Sequence, residues 1–271
     1  MEKDTQLLWR YMDLEKFKDL LIREELYFRR LDKFQDPFEG ASTVLDYADR
    51  KRYLESIFKN SQIREGGGQL RINLNGQWVQ YARVKNEKEA EDSFSLMRKF
   101  FYANCWHLSP YESEAMWKLY MKDGKGIAIQ TTVERLNISL KDSDKKFMRK
   151  VRYIDYEKDR FSGEDDIAAA YFFKRNHFEH EKEYRVIIPR LFTKDNGEEC
   201  VVDQIEQDSN EGIFIPIKNL RTLIQNVYVS PTSTEEFTHE VGALMERFYL
   251  LDDNGKIKKP IHSSLKRKPF Y

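Results

Sequence analysis

Apolar positions along the chain switch between two periods, and the switches predict the elements. Residues Leu7–Met12 read as a short strand. Asp13 follows as a helix cap, because Leu14, Phe17, Leu20 and Leu21 then recur on one helical face. Residues 26–29 read as a second strand, so the chain opens strand–helix–strand before the turn-rich stretch from Gln35 to Gly40. A charged helix is predicted over 44–63, broken by Gly66, Gly67 and Gly68. Leu70, Ile72 and Leu74 then alternate towards Asn75-Gly76 and Trp78-Val79, the pattern of a hairpin. A second charged helix is expected over 87–100.

Residues 102–108 read as a buried strand. Ser109, Pro110 and Glu112 then supply an N-cap, a first helical position and a capping box. The helix they predict runs through Met116, Trp117 and Tyr120 and stops near Gly124. Further strands are expected over 126–131, 147–154, 183–188 and 227–229, and helices over 167–177 and 234–250. Residues 259–262 would close the sheet. The expectation is one α+β domain over 1–271, a sheet flanked by helices, with an inserted hairpin near 66–85 and a polar excursion near 192–212.

Composition narrows the function classes. Lys+Arg and Asp+Glu both number 46, so the chain lacks the basic excess expected of a nucleic-acid binder. Its 18 Phe and 15 Tyr supply large buried areas despite an apolar share of 40%. Two cysteines, Cys105 and Cys200, are too few for a disulfide framework. No apolar run approaches the ~18 residues of a membrane span, and the polar start gives no sign of a signal peptide. A cytoplasmic protein without membrane contact is expected.

The chain has no Walker A pattern, no Gly-x-Gly-x-x-Gly and no Gly-x-Ser-x-Gly, so P-loop, Rossmann and α/β-hydrolase chemistry lose their usual support. His177, His180 and Glu181 lie close together, but their spacing fits a solvated helix end better than a metal site, and no metal is expected. Cys105 and His107 fall on one face of one strand, which favours a structural cysteine over a nucleophile with its base. Glu181, Glu183 and Arg185 would share a strand face, where two carboxylates and a guanidinium need pairing or a task. The pairing reading is an ion pair at a sheet edge. The functional reading is a carboxylate that steadies an oxocarbenium-like centre. Arg10, Arg29 and Arg30 are candidate anion binders, and Lys256–Lys268 is a basic tail. Trp117 and Tyr120, three apart on a helix, suit core packing or stacking on a ring.

Three matches carry a resemblance. The first joins Leu26-Tyr27-Phe28 to Phe34-Gln35-Asp36-Pro37-Phe38-Glu39. The second runs from Cys105-Trp106-His107-Leu108-Ser109 through Met116-Trp117 and Tyr120 to Gly124-Lys125-Gly126. The third sets Lys174 and His177 ahead of Glu181-Lys182-Glu183-Tyr184-Arg185. Together they resemble the bacterial and phage domain-of-unknown-function family numbered 2971. Gln35 and Trp106-His107 depart from that family's usual residues. The order of motifs is also similar to that of ADP-ribosyltransferases. That similarity implies a split mixed sheet gripping NAD as substrate. Arg10 and Tyr11 would contact the dinucleotide, His107 or Ser109 would stand near nicotinamide, and Glu183 would be the catalytic carboxylate with Glu181 as the earlier member of the pair. Trp117, Tyr120 and Arg185 would complete the binding site. The implied role is a defence or toxin effector acting on a protein or nucleic-acid acceptor, with an antitoxin as partner. A non-catalytic nucleotide or phage-component sensor and a nuclease are the other readings.

Overall fold

A computed structural model describes residues 5–58, 68–74, 77–84, 86–140, 146–161, 168–190, 192–193, 199–200 and 210–266. The chain begins with β1 (Leu7–Met12), α1 (Leu14–Arg23) and β2 (Glu25–Arg30). The Asp13 side chain accepts the Lys16 N–H at 2.8 Å, and α1 buries Phe17, Leu20 and Leu21. Burying each of these contributes roughly 1.5–3 kcal/mol. After α2 (Val44–Phe58), strands β3 (Gly68–Leu74) and β4 (Gln77–Val84) pair with each other; the Asn75-Gly76 turn lies outside the described residues. Next come α3 (Glu87–Leu96), β5 (Phe101–Leu108), α4 (Glu114–Tyr120), β6 (Ile127–Thr132) and α5 (Val133–Ser139).

The remaining elements are β7 (Phe147–Lys150), β8 (Arg152–Ile154), β9 (Phe173–Arg175), β10 (Glu183–Pro189), β11 (Phe192–Thr193), β12 (Glu199–Cys200) and β13 (Gly212–Pro216). They are followed by α6 (Leu220–Leu223), β14 (Asn226–Val229), α7 (Glu235–Arg247) and β15 (Ile261–His262). Most of the 192–212 excursion lies outside the described residues. Among the described residues no helix is long and apolar enough to cross a membrane. The fold is α+β, a large mixed and mostly antiparallel sheet flanked by helices. Among the described residues nine strands form that sheet, with β14 and β15 as a parallel pair.

Three local expectations fail for non-local reasons. The described part of the helix expected over 167–177, residues 168–177, is not an α-helix. It is a 3-10 turn, then β9 in parallel pairing with β8, then a 3-10 turn over Asn176–Glu181. Pairing with a distant strand overrides the helical pattern. The strand expected over 147–154 divides at Val151, because β7 pairs with β10 while β8 pairs with β9. The helix expected at Ser109 starts at Glu114, where the Ser113 side chain accepts the Met116 N–H. The Ser113 N–H is itself held by the Tyr11 hydroxyl at 2.9 Å, and the preceding residues bend around the Ser109 side chain, which accepts the Tyr111 N–H.

The sheet forks at β5. One edge of β5 pairs with β10 from Phe101 to His107. The other edge meets β1 at Trp9↔His107 and Leu8↔Leu108, and β2 at Arg29↔Ala103 and Arg30↔Tyr102. Between those pairings β1 and β2 diverge, so Asn104, Cys105 and Trp106 face an opening in the sheet. Among the described residues β1 pairs only with β6 from Arg10 onward, and β2 pairs with β13 from Glu25 to Arg29. The Asn104 side chain donates to the Tyr27 carbonyl at 2.8 Å and accepts the Trp106 indole N–H at 2.6 Å, which fixes the width of the fork.

One face of the sheet carries the main core, with Leu8, Phe17, Trp106, Ile129, Val186 and Val241 packed together. The other face carries two smaller clusters. Trp9, Tyr11 and Ala128 pack on Met116 and Trp117, while Phe101, Ala103 and Ile187 pack on Leu31, Met97, Phe100 and Tyr171. Between these clusters lies a polar strip on β5 and β10.

Gly40 seats the turn that reaches this strip. It has φ +77°, and an added Cβ would stand 2.6 Å from Tyr171 Cε1. Gly40→Ala is expected to cost about 1–3 kcal/mol. Urea denaturation checks this, and an unchanged midpoint would show that the turn has room to adjust.

Candidate functional site

The polar strip is a buried cluster of charges drawn from four segments. On β10 the two Glu183 oxygens receive Arg185 Nε at 2.7 Å and Nη2 at 3.0 Å. Arg185 is fully buried; its Nη1 donates to the Tyr171 carbonyl at 2.8 Å and its Nη2 pairs with Glu39. Lys174 on β9 reaches Glu183 at 2.7 Å, Glu181 at 2.7 Å and Glu39 at 3.4 Å. The turn bearing Glu39 is tied down separately, by Arg175 against buried Asp36 at 2.9 Å and by Arg98 donating to the Pro37 carbonyl at 3.4 Å. Strand alternation puts Glu183 and Arg185 on the face of their β5 partners His107 and Cys105.

Three carboxylates meet two cations in this cluster, which leaves one negative charge in excess if all ionise. The carboxylates divide that excess unequally. Burial works to raise Glu183, but Arg185 and then Lys174 outweigh it and hold its carboxyl well below the usual range. Burial, and then the neighbouring Glu183 carboxylate, push Glu181 up to about 7. Burial also raises Glu39, against the pull of Arg185. Burial would lower Lys174, yet Glu183 and Glu39 reverse this and keep it charged.

His107 is buried and its Nδ1 lies 2.7 Å from the Glu181 carbonyl. A carbonyl only accepts, so Nδ1 carries the proton. Burial keeps the ring's pKa below its ordinary value. Burial, and then Glu183, raise the Cys105 thiol well above its usual range, which leaves it a protonated wall residue rather than a nucleophile. The Glu183 N–H donates to the Tyr153 hydroxyl at 2.8 Å.

A cavity of about 660 Å³ fills the fork. Glu39, Cys105, His107, Lys174, Glu181 and Glu183 line it, as do Lys16, Tyr27, Arg29 and Phe214. Arg10 also lines it, its guanidinium carbon 5.7 Å from the Trp106 ring centre. Arg10 alternates onto the face of Trp106, opposite to His107 and Glu183, and the fork brings both faces to one cavity. Burial pulls the Arg10 pKa down, and its buried Nη1 has no hydrogen-bond partner among the described residues. A guanidinium left this way is costly unless an anion completes it.

The nine sequence-designated residues separate by position. Arg10, Tyr11, His107, Tyr120, Glu181 and Glu183 line the cavity. Ser109, Trp117 and Arg185 are not among its lining residues. Ser109 uses its hydroxyl to accept the Tyr111 N–H and its carbonyl to accept the Trp9 indole N–H. Trp117 is core, with its N–H on Glu112 at 3.1 Å and its ring edge-on to Tyr11. Glu181 enters from a 3-10 turn rather than from the strand. Sequence reasoning assigned no role to Lys174 or Glu39. The available signal was their place in the quoted motifs, a lysine seven residues before Glu181 and a glutamate closing the turn.

Residues 116–186 match a family model described as a protein of unknown function, DUF2971. That stretch runs from α4 into β10, so it takes in Lys174, Glu181, Glu183 and Arg185 but not Arg10 or Glu39. Over it the resemblance drawn from the motifs holds. No curated protein matches the chain. Among solved structures, Thermus sp. 2.9 DarT in complex with ADP-ribosylated ssDNA aligns over 97% of this chain and 96% of that chain, with a TM-score of 0.37 and 8% identity. A likeness of that degree carries no argument.

Two predictions follow from the charges. Arg185→Met leaves Glu183 and Glu39 buried without their main counter-ion and is expected to lower stability by about 3–5 kcal/mol in urea melts. A loss under ~1 kcal/mol would show that the cluster rearranges freely. The second prediction concerns pH. Between 4.5 and about 7 the folded chain holds a Glu181 proton that the unfolded chain has released. Stability therefore falls as pH rises through that window. Raised Glu39 acts in the same sense. Lowered Glu183 acts oppositely, but its contribution is lost only below the ordinary carboxylate range. Lowered His107 also acts oppositely, and does so inside the window, because below 6.5 the unfolded chain takes up a proton that the folded ring refuses. Measured from about pH 5 to 8, the urea midpoint of the wild type should fall relative to that of Glu181→Gln, in which the His107 contribution remains. Parallel pH courses for the two would contradict the assignment.

Proposed function

We propose that the fork is a nucleotide site and that the protein acts on NAD in the manner of an ADP-ribosyltransferase or NAD glycohydrolase. One observation carries this reading: a buried guanidinium nitrogen with no hydrogen-bond partner among the described residues, Arg10 Nη1, and a carboxyl with a raised pKa, Glu181, line the same cavity. Its volume of about 660 Å³ lies in the range of small-molecule sites. In this proposal Arg10 takes a phosphate of the dinucleotide, and Tyr11 and Tyr120 border the nucleotide. Departure of nicotinamide leaves positive charge on the ribose. A carboxylate of the Glu181–Glu183 pair steadies that charge more in the transition state than in the ground state. The acceptor is a protein, a nucleic acid or water, and a defence or toxin role would follow from consumption of NAD or modification of the acceptor.

A second reading, a non-catalytic nucleotide sensor, draws on the full engagement of Glu183, both of whose oxygens are taken by Arg185 and Lys174.

Labelled NAD separates the two. Nicotinamide release or label transfer is expected from the wild-type chain, and Arg10→Met should weaken KM about 10-fold or more by loss of a charge-assisted bond. A rise in Tm with NAD and no turnover supports the sensor instead. The absence of both turnover and a Tm shift would exclude NAD as the ligand.

A further inference from the structure

The motif order nominates the second glutamate of the pair as the working one, but the geometry separates the two carboxylates in the other direction. Glu183 is enclosed. Its side chain is 7% exposed, and each oxygen is held by Arg185, one of them also by Lys174. A carboxylate whose acceptor sites are already filled can take up a ligand hydroxyl only by breaking a buried ion pair. The Glu181 side chain is 23% exposed in the cavity wall, with Oε2 on Lys174.

Glu181 is also deliberately mounted. It ends the 3-10 turn Asn176–Glu181, and the next residue, Lys182, has φ 41°. A lysine holds that left-handed conformation only where its surroundings impose it. The surroundings here are two bonds from β5. His107 Nδ1–H donates to the Glu181 carbonyl at 2.7 Å, and the Leu108 N–H donates to the Lys182 carbonyl at 2.8 Å. Lys174 then fixes the far end of the side chain. His107 thus spends its one donor on backbone. This geometry suits a bracket and not a base.

We propose that Glu181, rather than Glu183, is the carboxylate that acts on the ligand, and that His107 and Lys174 are its positioning residues. The proposal rests on the NAD reading for the identity of the ligand. The C–N bond to nicotinamide breaks with its electron pair leaving on nicotinamide. A water or acceptor hydroxyl forms the new bond at the ribose carbon, and its proton passes to Glu181. Glu183 serves as the buried counter-ion that keeps Lys174 and Arg185 in place. The groups bearing on Glu181 are Lys174 from β9, Glu183 from β10, His107 from β5 and Tyr120 from α4, while Arg10 from β1 and Cys105 from β5 line the same cavity. Of these, Lys174 is the cation in direct contact, so its removal must raise the Glu181 titration.

The test uses the full chain and two readouts. The first is nicotinamide release from NAD across pH. The wild-type rate should rise with a midpoint near the about 7 expected for Glu181, and Glu181→Gln should lower kcat about 100-fold with a smaller change in KM. Lys174→Met should move the midpoint upward. His107→Gln, which still offers an N–H, should keep more activity than His107→Ala. Wild-type kcat in Glu181→Gln would overturn the proposal, as would a midpoint unmoved in Lys174→Met. The second readout is the carboxyl titration of Glu181 followed by NMR without NAD. It decides the mount even if the chain never turns NAD over. A midpoint raised by Lys174→Met supports the mount, and an unmoved one overturns it. Absence of turnover by itself would defeat only the NAD reading.

Discussion

Arg185 holds the site together. Its guanidinium is fully buried and is bonded to Glu183 on its own strand, to Glu39 in a turn far earlier in the chain, and to the Tyr171 carbonyl. A buried charge of this kind demands that every donor find a partner. That demand draws three distant segments to one point. The turn around Asp36 and Glu39 closes over β10, Lys174 arrives on β9, and the 3-10 turn after it brings Glu181 within reach. Replacing such a cluster by apolar residues of similar volume can be nearly neutral for stability. What the ions add in this chain is placement of Glu181, the most exposed carboxylate of the three.

The fork in the sheet supplies the space. Helix α1 carries the chain from β1 to β2, and both strands seek the same edge of β5. They cannot both have it, so β1 takes its end at Trp9 and β2 takes the stretch at Arg29, with Asn104–Trp106 left open between them. The opening explains how Arg10 and Glu183, on opposite faces by alternation, line one cavity. In the proposed function Arg10 would take an anion there, opposite a carboxyl whose pKa burial and Glu183 have raised.

Much of this was legible along the chain. The strand–helix–strand opening, the helix capped by Thr234 and the strand at Glu183 all follow from local periodicity and capping, and the structure places them within a few residues. Arg10, His107, Glu181 and Glu183 were nominated by residue type and motif order, and they share a cavity. What local pattern could not show was decided by distant partners. The stretch 167–177 looks helical until β8 claims Phe173–Arg175. Lys174 and Glu39 carry no signal by themselves, because a lone lysine and a lone glutamate are ordinary surface residues until Arg185 and the turn bury them. Ser109 and Trp117 erred the other way. Their types suit a binding site, but their polar groups are already bonded within the fold.

A structure of the chain soaked with NAD tests the central claim most directly. The account predicts the nucleotide in the fork, a phosphate oxygen bonded to the Arg10 guanidinium, and a ribose hydroxyl within about 3 Å of a Glu181 oxygen. Nucleotide bound elsewhere, or bound in the fork with Arg10 still unpartnered and Glu183 released from Arg185 to meet the ribose, would contradict it.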